Sequence, residues 1–149
     1  MNIEIDQSGK VENTSKNTVI AFSNDIFGTI FISAQEKREI QKFFRKIGKT
    51  KVFVYRLFAA LIFLLINDHL KNLKRITIDE EYSGKENLIK SYLVQNIRRV
   101  YRGFSAENIS FKRIGKKSKA HNLAYLVFKG KNSPNRVVKT SELLKILFK

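Results

Sequence analysis

The chain has no cysteine and no tryptophan, one proline, one methionine and two histidines. Without cysteine there is no disulfide framework, no thiolate metal site and no cysteine nucleophile. Two histidines alone leave a structural zinc site short of ligands. The sequence also lacks a glycine-rich phosphate loop, a dinucleotide-binding fingerprint and a nucleophile elbow, which removes the commonest nucleotide-binding and serine-hydrolase chemistries. Long hydrophobic runs are missing as well. The longest, Leu57 to Ile66, is ten residues between Arg56 and Asn67-Asp68. A bilayer span needs about 20 residues, so this run reads as a buried helix and no membrane partner is expected. Met1 leads into a polar, acidic strand rather than the basic and then apolar start of a secretory signal. A cytoplasmic protein is the expectation.

Acidic residues are scarce: 13 Asp and Glu stand against 29 Lys and Arg, a formal net charge of +16. So large a self-repelling excess fits a polyanionic partner, nucleic acid first among them. The 149 residues are 43% hydrophobic, with 12 phenylalanines. That is enough for one domain with one core, so residues 1–149 are read as a single domain whose last 20 positions, 130–149, extend it.

Hydrophobic periodicity orders the elements. Asn2 to Asp6, Thr18 to Phe22 and Thr29 to Ser33 alternate as strands, separated by turn residues such as Gln7-Ser8-Gly9 and Ser23-Asn24-Asp25. Ile40, Phe43, Phe44 and Ile47 then fall at helical spacing, with Gly48 as the stop. A second helix is predicted from about Lys51 to Lys71, apolar on nearly every side and therefore central. Arg75 to Asp79 is a fourth strand, Glu86 to Arg102 a helix, and Ile109 to Ile114 a fifth strand. After a basic loop, Ser118 is placed to cap a helix over Ala120 to Lys129. A last helix follows, starting at Thr140 or Ser141. A meander followed by β-α-β-α predicts an α/β fold with a mixed sheet flanked by helices.

Two of these strands carry the same text. Ile3-Glu4-Ile5-Asp6 and Ile76-Thr77-Ile78-Asp79 each read apolar, polar, apolar, acid. Strand residues alternate faces. If the two strands lie side by side and parallel, Asp6 and Asp79 emerge together on one face. Paired carboxylates are ligands for a hard divalent cation such as Mg²⁺ or Mn²⁺, which takes one or two carboxylates and the oxygens of a substrate phosphate. Glu80 and Glu81 follow Asp79 directly and are the candidates to assist.

This order of elements, with an acid closing the first and fourth strands, resembles the ribonuclease H-like superfamily, and within it the RuvC-type Holliday junction resolvases. The resemblance covers roughly residues 1–130. It implies a five-stranded mixed sheet, a first strand (Asp6) beside and parallel to a fourth (Asp79), and a further ligand at the start of a late helix. In Lys116-Lys117-Ser118-Lys119-Ala120-His121-Asn122-Leu123-Ala124, His121 stands where that ligand is expected. A ribonuclease H proper also carries a Glu early in its first helix, for which Glu36 and Glu39 are the available residues. The implied activity is a metal-dependent nuclease cleaving nucleic acid, either DNA (branched DNA included) or an RNA–DNA hybrid. The implied catalytic set is Asp6, Asp79, Glu81 and His121, with Glu80 a further possible ligand. The alternative is a nucleic-acid-binding module of the same fold that has lost cleavage.

Lys10, Lys116, Lys117 and Lys119 flank the candidate site and are expected to grip phosphates. Arg98, Arg99 and Arg102 on the helix after the fourth strand, and the Lys37 to Lys46 group on the first helix, are candidate duplex tracks or simply solvated faces. His69 reads as a cation at a helix end. A homodimer is compatible with the apolar helix from Arg56 to Ile66, which core burial explains equally well.

Overall fold

A computed structural model of the protein describes residues 1–148. The meander forms as β1 (Asn2–Ser8), β2 (Thr18–Asn24) and β3 (Phe27–Ile32). Helices α1 (Ala34–Lys46) and α2 (Phe53–Ile66) follow. Then come β4 (Arg75–Asp79), α3 (Glu86–Val100), β5 (Ile109–Lys112), α4 (Lys119–Phe128), β6 (Arg136–Val137) and α5 (Thr140–Leu147). The strands make one mixed sheet in the order β5-β4-β1-β2-β3-β6. β1–β2 and β2–β3 are antiparallel; β1–β4, β4–β5 and β3–β6 are parallel.

The sheet therefore has six strands where five were expected. The addition is β6, which pairs Arg136 with Ile30 and Val137 with Phe31. It is held in place by Asn135, whose Oδ1 accepts from Thr29 N at 2.8 Å. Two residues have no alternation to read, so only pairing reveals such a strand. The segment after residue 130 thus completes the sheet edge and returns α5 to the core.

The two faces of the sheet are covered differently. Ile3, Ile5, Ile20, Ile30, Ile32, Ile76 and Ile78 point into the main core with α2 and α3. Burying each such side chain stabilises the fold by roughly 1.5–3 kcal/mol. On the opposite face α4 lays Ala124 and Val127 against Val19 and Ala21. Alternation puts Glu4 and Asp6 on that second face. Asp6 is registered with Ala21, and Glu4 with Thr77 two positions before Asp79.

Helix α2 buries 11 of its 14 residues. With the short 3₁₀ turns that flank it, the helical run Thr50–Asn72 is long and apolar enough to cross a membrane by length and composition. Most of its apolar side chains are instead buried in the protein's own core, with Val52, Val54 and Tyr55 partly buried at its start. Helix α5 closes over α2. Its last carbonyls are capped from outside the helix, Ile146 O by Arg99 Nη1 at 3.0 Å and Leu147 O by the Arg56 guanidinium. Arg56 also lies 5.3–5.7 Å from the ring centres of Phe44, Tyr92 and Phe148, a cation–π cage that offsets its desolvation.

Candidate metal centre

Asp6 sits inside β1 rather than at its end, because the hairpin pairing continues through Gln7–Ile20 and Ser8–Val19. It is only 4% exposed. A buried carboxylate needs partners, and Asp6 has two: Oδ1 accepts from Gln7 N at 2.8 Å, and Oδ2 meets His121 Nδ1 at 2.9 Å. With Asp6 ionised the carboxylate can only accept, so Nδ1 is the donor in this pair and Nε2 is the ring nitrogen that Asp6 does not engage. Ser118 caps α4 as anticipated, accepting from Ala120 N, and its hydroxyl donates to Glu4 Oε1 at 3.2 Å. Helix α4 is thereby pinned to β1 at two successive outward positions, Glu4 and Asp6.

Asp79 ends β4, half-buried, and its Oδ1 accepts from Ile114 N at 2.7 Å. The loop after β5 therefore docks on the carboxylate it flanks. Past the strand, Glu80 N donates to Lys112 O and Glu81 N to Asp79 O. This turn leaves Glu80 exposed and brings Glu81 back, half-buried, over the sheet. Asp6, Asp79 and Glu81 each offer one oxygen, and the three oxygens lie within 4.8 Å of one another. Neither Glu80 nor His121 is part of this group; His121 turns its Nδ1 to Asp6 instead. Of the two glutamates that follow β4, the structure brings only Glu81 to the aspartates.

The electrostatics are those of crowded acids. Burial raises the Asp6 carboxyl above its ordinary value, its hydrogen bonds to His121 and Gln7 oppose this, and Asp79 adds repulsion. Glu81 is pushed up to about 7, first by burial, then by a hydrogen bond shared with Asp79 and by the charges of Asp79 and Asp6; Lys10 opposes the shift. Without a cation beside it, the Glu81 carboxyl keeps its proton up to about neutral pH. A divalent ion fits such an oxygen-only, over-charged cluster.

A hydrogen-bonded brace supports the site. Gln7 Nε2 donates to Tyr82 Oη at 3.0 Å, and Tyr82 Oη donates to Glu12 Oε1 at 3.0 Å. Tyr82 also packs edge-on against Tyr55 and Phe58. It thus ties the segment carrying Glu81 to β1 and α2. Nothing in the local sequence marks Tyr82, since its hydrogen-bond partners lie 75 and 70 positions away.

Lys37 is buried too. Placed among solvated helix cations by its sequence, it is 0% exposed. Its Nζ donates to Asn13 O at 2.7 Å, Thr18 Oγ1 at 2.8 Å and Lys10 O at 3.2 Å. It therefore organises the β1–β2 connection that carries Lys10, and burial lowers its pKa to about 8.

Lys10, Lys116, Lys117 and Lys119 are all exposed; Lys10 acts on Glu81, and the other three lie on the loop and first turn leading to His121. Arg98, Arg99 and Arg102 lie elsewhere. Helix α3 runs back from the carboxylate end of β4, and at 1.5 Å per residue Arg98 lies about 18 Å beyond Glu86. Arg98 Nε donates to Phe104 O and Arg99 serves α5. Glu36 and Glu39 do not join the carboxylates. Glu36 accepts from Thr140 N at 2.7 Å and from its hydroxyl, and Glu39 pairs with Lys42. His69 stacks edge-on against Phe22.

No family model matches this chain, and neither a curated protein nor a solved structure matches it.

Proposed function

We propose that this protein is a metal-dependent phosphodiesterase that hydrolyses nucleic acid, on a ribonuclease H-like arrangement of β1, β4 and α4. One observation carries the reading. Asp6 and Asp79, 73 positions apart in the chain, bring oxygens within 4.8 Å of each other and of Glu81, in a chain of net charge +16. Acids gathered this closely in a basic protein are costly unless a cation and a phosphate complete them.

Asp6, Asp79 and Glu81 would hold Mg²⁺ or Mn²⁺, which would supply Lewis-acid charge at a scissile phosphate and favour the hydroxide form of water. The chain's own residues do the rest. Lys116, Lys117 and Lys119 hold phosphates on either side of the bond. Ile114 N keeps Asp79 oriented, and the Gln7–Tyr82–Glu12 chain keeps the Glu81 segment in place. His121, fixed through Nδ1 on Asp6, presents Nε2 as the proton acceptor for an attacking water. The water oxygen bonds to phosphorus as the bond to the departing strand's oxygen breaks; His121 keeps the water's proton until solvent takes it, and the departing oxygen takes its proton from solvent.

A binding module without cleavage is favoured by one observation. Glu36, the candidate for a further early-helix carboxylate, is engaged by Thr140. Labelled duplex DNA, single strand, four-way junction and RNA–DNA hybrid, incubated with Mg²⁺ or Mn²⁺, separate the two readings. The nuclease reading expects cleavage of at least one substrate, abolished in Asp79→Asn. Tight, salt-sensitive binding with no cleavage under either metal refutes it.

A further inference from the structure

From Asn108 to Ser141 the chain has no acidic residue and nine lysines and arginines. This stretch holds the loop after β5 and all of α4, so the helix that brings His121 to Asp6 lies in a segment whose own charges are all positive. The helix buries Ala120, Ala124 and Val127. His121, Tyr125 and Lys129 follow one another at four-residue spacing and so share one flank, each step rising about 6 Å. Tyr125 is 46% exposed. Lys129 Nζ lies 5.6 Å from the Tyr125 ring centre and 6.0 Å from that of Phe128. The far end of the helix abuts the β1–β2 turn, where Phe128 closes on Gly9.

An exposed tyrosine one helical turn from His121, which itself touches Asp6, with an ammonium held against its ring, is fitted to a flat, electron-rich group carried on a phosphate chain. We propose that Tyr125 is a stacking platform for an unpaired nucleobase of the strand whose phosphates lie at the carboxylates. The proposal rests on the nucleic-acid reading above and narrows its substrate. In a continuous duplex both faces of every base are already stacked, so a side-chain ring gains a base only where the strand is single or the base is extruded. The preferred substrate therefore has unpaired nucleotides next to the cleavage point.

The test is fluorescence anisotropy in EDTA with a labelled single-stranded oligonucleotide and with its perfect duplex, using wild type, Tyr125→Phe and Tyr125→Ala. A thermal melt checks that each variant folds. The expected result is that Tyr125→Ala weakens single-strand binding about tenfold or more, Tyr125→Phe keeps it, and the duplex is little affected. Equal binding of single strand by wild type and Tyr125→Ala overturns the stacking role while leaving nucleic-acid binding intact. Loss of duplex and single strand in equal measure also overturns it. If wild type binds neither nucleic acid, the underlying functional reading fails, and this inference with it.

Discussion

Replacing Glu81 by glutamine removes one charge from the carboxylate cluster and nearly preserves its shape. In the wild type, moving a carboxyl from its ordinary 4.5 to about 7 corresponds to about 3 kcal/mol at most. The sign follows from proton counting. Between about 4.5 and 7 the folded protein binds this proton more tightly than the unfolded chain, so stability is full below the lower value and falls as pH rises through the upper one. At pH 8, without divalent ions, Glu81→Gln should therefore be more stable than wild type by up to about 3 kcal/mol, reduced by solvent at a half-buried group. For a domain of this size that is an increase of about 5–10 °C in Tm. At pH 4.5 the two proteins should melt together. Adding Mn²⁺ at pH 8 should reverse the order, because an ion bound only by the folded state stabilises wild type and the variant has lost a ligand. Thermal melts at both pH values, with EDTA and with Mn²⁺, give the comparison. If the two proteins differ equally at pH 4.5 and pH 8 and neither responds to Mn²⁺, the reasoning from crowded acids to a cation site is refuted.

Other perturbations probe the supports. A Cβ at Gly9 would lie 2.1 Å from Asn17 O and 2.4 Å from Phe128 Cε1, at a φ of +73°; Gly9→Ala should cost roughly 2–4 kcal/mol in urea unfolding. Lys37 has its pKa lowered to about 8, so the unfolded chain binds the extra proton, and wild type should gain stability as pH rises from about 8 to 10.5. Lys37→Met should lack that part of the slope in parallel urea titrations. Changing Lys116, Lys117 and Lys119 together to alanine should weaken nucleic-acid binding regardless of sequence. It should also flatten the dependence of log K on log salt by about 2 to 3, read from anisotropy titrations between 50 and 200 mM salt.

The sequence discloses what depends on short-range pattern. The repeated I-x-I-D text predicts two strands with acids in phase. The parallel pairing of Ile3 with Ile76 and Ile5 with Ile78 places those acids on one face. The capping of α4 by Ser118 was likewise local and legible. What the sequence hides is long-range. Gln7 and Ser8 look like turn residues, yet β2 extends them as strand. The choice between Glu80 and Glu81 depends on how the chain bends after β4, which Lys112 O decides. β6 exists only by pairing with β3. Lys37 has the surroundings in sequence of a solvated cation and is buried by the loop it binds. Arg99 looks like a surface charge and caps a helix 47 positions away.

The central claim is that Asp6, Asp79 and Glu81 together bind a divalent ion. Mn²⁺ titration followed by electron paramagnetic resonance, on wild type and Asp79→Asn at pH 8, tests it most directly. Saturable binding by wild type that is lost or weakened at least tenfold in Asp79→Asn is the predicted result. No saturable binding, or binding unchanged by the substitution, would contradict the claim.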